Sequence, residues 1–136
     1  MRPSQDYYHN RRKLKRLIHD DVQYRPTVGD VTKWFNILNE QIFGNKLAPI
    51  TKIRLIRHKG YHAFYYYYSR KDPNFGHTRM SFTKRFKCKK MFVEILAHEM
   101  IHHFQHLHNE PIGHGPSFTA WGDNFKTRGL KLYRVR

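Results

Sequence analysis

The stretch from Cys88 to His108, CKKMFVEILAHEMIHHFQHLH, constrains the fold more than any other segment. It holds neither glycine nor proline, and its apolar residues recur at helical intervals, so its periodicity predicts one long, half-buried helix. A domain of this size must be built around such an element. Its polar content is unusual, because His98, His102, His103, His106 and His108 all lie on it, with His114 just beyond. Residues four apart share one face of a helix, so His98 and His102 can turn their rings toward a single ion. Glu99, between them in the pattern H-E-x-x-H, sits on the flank of that face. It could take a proton from a metal-activated water without being a ligand. Zinc suits a nitrogen-rich site of this kind, and binding lowers the pKa of its water to about 7.

A catalytic zinc usually takes three protein ligands and leaves one position open. His108 would complete near-metzincin spacing, but Gln105 stands where that arrangement needs a turning glycine. No methionine follows Met100, and Glu110 lies only eight residues past His102. His106 is a further turn along the same helix, which cannot wrap three turns around one ion. His114, in IGHGPSF, follows a turn bounded by proline and glycine that can reverse the chain. Gly113 and Gly115 flank it and permit tight backbone geometry. The expected metal ligands are therefore His98, His102 and His114. His103, His106 and His108 are expected to be solvent-facing or hydrogen-bonded, with His106 on the metal face and able to support a ligand. Tyr61 or His62 is a further candidate for stabilising an oxyanion.

Around this helix the pattern reads as α+β. Residues 1–26 form a basic arm or short helix, and residues 27–136 the domain proper. Val31, Trp34, Phe35, Leu38 and Ile42 mark an amphipathic helix, capped by Thr27 or Asp30 and followed by Gly44. Strands are expected at 50–58, 61–69 and 77–83, the first two joined as a hairpin through Lys59 and Gly60. A last helix over 116–128 precedes a possible terminal strand, LKLYRV.

HEMIH followed by GHGPSF resembles the signature of the SprT-like, Spartan-type, zinc metalloproteases, a family that includes a protease of DNA–protein crosslinks. WFNILNEQIFGNKL (34–47) is similar to that family's first core helix. TRMSFTKRF (78–86) sits where the family has its last strand before the active-site helix. The likeness spans about residues 27–128. It implies a zincin-like minimal metalloprotease core, with a small three-stranded sheet packed on the H-E-x-x-H helix. It also implies zinc on His98, His102 and His114, Glu99 as general base, and proteins on DNA as substrates. An extended substrate segment would pair beside the HTRMSFT strand. Many members carry a zinc ribbon, which a sequence with the single cysteine Cys88 does not encode. A short form of this kind suits a bacteriophage or mobile-element protein.

Charge points to the second partner. Twenty-six Lys and Arg against ten Asp and Glu give a net charge of +16, far more than solubility needs. Residues 52–90 hold twelve of those cations and one acid, Asp72, interleaved with nine aromatic rings. Cations that track phosphates beside rings that stack on bases describe a surface for single-stranded DNA without sequence preference. Lys84, Arg85, Lys87, Lys89 and Lys90, with Arg11, Arg12 and Lys13 of the arm, are the expected phosphate contacts. No apolar run is long enough to span a bilayer, and the N-terminus lacks the apolar core of a secretory signal. With no disulfide framework, the chain is expected to be an intracellular monomer, cytoplasmic or nucleoid-associated. A competing reading is a DNA-binding nucleoprotein with a structural zinc. That would require a fourth protein ligand, His106 or His108. A metal-dependent hydrolase of another bond is the third.

Overall fold

The computed structural model describes residues 4–17, 22–57 and 60–133. Among these, five helices surround a three-stranded sheet, a mixed α+β architecture. The first helix, α1 (Gln5–Arg16), starts at Ser4, whose Oγ accepts from the Tyr7 amide. Within the stretch expected to be an arm or short helix, α1 buries Leu14 and packs on the second helix. Leu17, just past its end, is buried too. Two side chains fasten the pair, Gln41 Nε2 donating to Tyr7 O at 2.8 Å and Asn10 Nδ2 to Glu40 at 3.0 Å.

The second helix, α2 (Val28–Gln41), opens with both expected caps at once. Asp30 N donates to Thr27 Oγ1 and Thr27 N donates back to Asp30 Oδ2, a reciprocal capping box. Its apolar stripe, Val31, Trp34, Phe35 and Leu38, is buried as the periodicity predicts. At its far end Gly44 takes a φ of 61°, a conformation that costs glycine little.

The strands are β1 (Lys52–Leu55), β2 (Ala63–Tyr67) and β3 (Thr78–Phe82). Their spatial order is β1-β3-β2, with β3 parallel to β1 and antiparallel to β2. The expected β1–β2 hairpin is therefore wrong, and Lys59 lies outside the described residues. Ile56 N donates to Phe82 O and Thr83 N to His62 O, extending both pairings and leaving β3 between its neighbours. Burial accounts for that choice: Thr78, Met80 and Phe82 are all buried, whereas Ile53 and Leu55 of β1 are only half-buried. Being paired on both sides, β3 has no free edge for a peptide, contrary to expectation. Among the described residues the unpaired edges belong to β1 and β2.

The third helix, α3 (Lys89–Leu107), matches its expected span, with Cys88 and His108 as its flanking residues. It is not half-buried. Every residue from Phe92 to His103 is buried, so α3 runs through the core rather than along its surface. Beyond it, the single expected helix is two, α4 (Pro116–Thr119) and α5 (Gly122–Thr127), separated at Ala120 and Trp121. Phe118 and Phe125 are both fully buried, and the break lets each enter the core. Residues 130–133 form no strand; they run back along α3 instead. Lys131 N donates to Glu94 Oε2 at 2.5 Å, and Tyr133 OH to Glu94 Oε1 at 3.4 Å.

Candidate metal centre

Helical spacing brings His98 and His102 together, and the turn before α4 returns His114 to them. His98 Nε2 lies 3.2 Å from His102 Nε2 and 3.2 Å from His114 Nε2. The other nitrogens show what those contacts mean. His98 Nδ1 faces the Tyr133 carbonyl at 2.6 Å, and His102 Nδ1 faces Gln105 Oε1 at 2.9 Å. Both partners only accept, so each Nδ1 carries a proton and His98 and His102 turn their Nε2 atoms toward His114. In their neutral form those Nε2 atoms present lone pairs that a cation among them would take up. The donor set thus fits a divalent metal that prefers imidazole nitrogen, zinc included.

Residues behind the three histidines hold them in place. Gln105 occupies the position that excludes a metzincin turn, and it has its own task. While its Oε1 accepts from His102, its Nε2 donates to Gly113 O at 3.1 Å and to Ser117 Oγ at 2.9 Å. One buried amide therefore orients His102 on α3 and ties down the turn bearing His114. Such outer partners set tautomer and ring angle in metal sites. Of the two flanking glycines, Gly113 takes a φ of 156°, which residues with a side chain rarely adopt, whereas Gly115 has a φ of −80°, open to any residue. Phe118 closes the site from α4, its ring centroid 4.9, 5.6 and 4.7 Å from those of His98, His102 and His114. Neither Gln105, Phe118 nor Tyr133 was identified from the sequence as part of the site. For Phe118 the signal was its place in GHGPSF, at the start of the expected last helix.

Glu99 is fully buried, its Oε2 3.6 Å from His98 Nε2. At about 100° of rotation per residue, it shares a side of α3 with His103 and His106. Both of those contact β2. Tyr65 OH lies 2.7 Å from His103 Nδ1, and the His106 ring sits 4.9 Å from that of Tyr67. A groove of about 310 Å³ opens there, with His103, His106, Tyr67 and Phe75 among its walls. His106 thus packs on the sheet rather than supporting a ligand. His108 caps its own helix, Nδ1 facing Phe104 O at 3.0 Å. Among the described residues neither joins the three-histidine cluster, and no fourth histidine, cysteine or acid does.

His103, next to a ligand, has the opposite tautomer. Its Nε2 donates to Ala48 O at 2.7 Å, so Nδ1 accepts from Tyr65 OH. Burial pushes its pKa down to about 4, partly opposed by the Ala48 hydrogen bond, with His106 adding a smaller lowering. The ring is a neutral structural link between α3, β2 and the 48–50 segment. Burial, followed by the charge of Arg70, also lowers the pKa of His106.

The candidate phosphate contacts divide. Lys84, Arg85 and Lys87 are exposed, as are Arg11 and Arg12, while Lys13 is half-buried. Lys90 pairs with Glu94 at 2.7 Å, and Lys89 Nζ lies 5.8 and 5.7 Å from the centroids of Tyr24 and Trp34. Tyr61 and His62 line a surface cleft with Lys84 and Arg85.

This small α+β domain brings three histidines, two of them on its central helix, close enough together to hold a metal ion, with a buried acid beside them. The SprT-like family model matches residues 31–134, and the chain belongs to that family. The family is generally associated with zinc metalloprotease activity. A search among curated proteins finds no match. Among the described residues no helix is long and apolar enough to cross a membrane.

Proposed function

We propose that this chain is a zinc-dependent endopeptidase with a zincin-like core, cleaving proteins that are bound or crosslinked to DNA. The observation that carries the reading is the convergence of three imidazole Nε2 atoms beside the buried Glu99 carboxylate. His98, His102 and His114 would hold zinc, whose chemistry there is to acidify a water and polarise the scissile carbonyl. Glu99 accepts the proton of the attacking water on its carboxylate and delivers it to the departing amine nitrogen. The Tyr133 carbonyl and Gln105 keep His98 and His102 in the tautomer that presents Nε2. Phe118 keeps water from the far side of the rings. An extended substrate adds to the free edge of β2, the antiparallel strand that packs on α3 beside Glu99. The basic surface would hold the enzyme on single-stranded DNA, the partner to which +16 charge is complementary.

The test incubates zinc-loaded protein with an unstructured DNA-binding protein, with and without single-stranded DNA, beside the Glu99→Gln variant. Cleavage by wild type alone, faster with DNA, is expected. Cleavage that persists in Glu99→Gln would remove the acid–base role. Absence of cleavage, with firm zinc and salt-sensitive DNA binding, would favour the nucleoprotein.

A further inference from the structure

We infer that single-stranded nucleic acid lies across the outer face of the sheet, on a stacking platform made by Tyr61, Phe64 and Tyr66. This placement deepens the DNA contact proposed above and rests on it. On the face pointing away from α3 the rings are large and exposed. Tyr61 is 41%, Phe64 37% and Tyr66 45% exposed. They form a row, with centroids 6.1 Å apart from Tyr61 to Phe64 and 5.3 Å from Phe64 to Tyr66. Tyr65, between Phe64 and Tyr66 in sequence, points inward to His103, so those two rings share one face of a pleated strand. Tyr61 precedes β2 and joins the row through its contact with Phe64.

Sheet register sets cations beside that row. Lys52, Arg79 and Tyr66 lie side by side across the three strands, and Arg54, Ser81 and Phe64 form the next line. With strands about 4.8 Å apart, these cations lie within about 10 Å of the rings. The Arg79 guanidinium sits 4.7 Å from the Tyr66 ring centroid. Where the row ends at Tyr61, a cleft of about 690 Å³ begins, lined by Arg25, Arg57, Lys84 and Arg85. Among the described residues no acidic side chain lines it. His62 also lines this cleft, and its buried Nδ1 has no hydrogen-bond partner.

Rings in a line beside cations, leading into a cationic cleft, suit unpaired bases and their phosphates. They do not suit a duplex, whose bases are already stacked. Of the expected phosphate contacts, Lys84 and Arg85 belong to this surface. Arg25, Arg57, Lys52, Arg54 and Arg79 were not singled out from the sequence.

The experiment titrates the zinc-loaded full chain into a fluorescein-labelled oligothymidine, and separately a duplex, over a series of salt concentrations. Tighter binding of the single strand is expected. Phe64→Ala and Tyr66→Ala should each weaken it about tenfold with an unchanged salt slope. Arg57→Gln and Lys84→Gln should each lower the slope by about 0.7. Lys126→Gln, exposed on α5, should alter neither. Ring variants that bind like wild type, or a Lys126→Gln loss equal to that of Arg57→Gln, would overturn the platform. So would displacement by polyglutamate at equal charge concentration. Should a ring variant fold poorly, wild type crosslinked to a 5-bromodeoxyuridine oligonucleotide answers alone. Adducts at Tyr61, Phe64 or Tyr66 support the placement, and adducts confined to α1 refute it. Neither readout needs cleavage. Binding here without peptidase activity sinks only the enzyme reading, and cleavage without binding here sinks only the platform.

Discussion

His98 donates a hydrogen bond from Nδ1 to the main-chain carbonyl of Tyr133 at 2.6 Å, so a residue 35 positions further along sets the tautomer of a histidine in the candidate metal site. The segment bearing that carbonyl is held by Glu94, which accepts from Lys131 N and Tyr133 OH. Glu94 is not in the three-histidine cluster. Glu94→Ala should still weaken zinc binding about 10- to 100-fold, the usual effect of losing such outer support. Tyr133→Ala, which keeps the carbonyl, should cost much less. Competition with a zinc chelator measures both, and wild-type affinity in Glu94→Ala would refute the linkage.

Gln105 joins a ligand to the turn that carries another. Gln105→Leu conserves size but leaves the His102 N–H and Gly113 carbonyl without that partner. It should destabilise the fold by about 1–3 kcal/mol and lower zinc affinity. Gln105→Glu retains an acceptor for His102 and should bind zinc better than the leucine variant. Urea unfolding and metal titration on the same preparations decide. Equal zinc affinity in the two variants would mean that His102 needs no acceptor there.

Zinc stoichiometry separates a three-histidine site from a closed, four-ligand one. His114→Ala should lose firmly bound zinc, whereas His106→Ala and His108→Ala should retain one ion per chain. Native mass spectrometry reads the outcome directly. Zinc loss in His106→Ala would revive the structural-zinc reading, since a fourth ligand would then exist.

Tyr65 should make the protein sensitive to alkali. Burial, with a smaller contribution from Tyr67, raises its pKa, so the folded state keeps a phenol proton that the unfolded chain releases near pH ~10. A raised folded pKa contributes stability that is fully present below the unfolded value and is lost as pH rises toward the folded one. Tyr65→Phe should destabilise the protein near neutrality by about 1–3 kcal/mol, because His103 Nδ1 loses its donor. Between pH 8 and 11 it should then lose less further stability than wild type. Thermal melts across that range provide the check, and parallel pH curves would show that Tyr65 titrates alike in both states.

The amino-acid sequence by itself determined the helices α2 and α3, the existence of three strands and the three histidines of the site. These rest on contacts between near neighbours. A 3.6-residue period places His98 beside His102 and Val31 beside Trp34 wherever the helix later packs. That His114 joins His98 and His102 was legible because the turn between His102 and His114 is short and few alternatives compete. Tertiary structure alone decided the rest. A two-residue period shows which side chains share a face but not which strand lies alongside, so β3's central place waited on burial of Thr78, Met80 and Phe82. Whether His103 is a spectator or a link was set by Ala48 and Tyr65, far away in sequence. The same holds for His98, whose proton is positioned by a carbonyl 35 residues later. A backbone carbonyl has no residue type to announce it, and only the packed chain brings it to the ring.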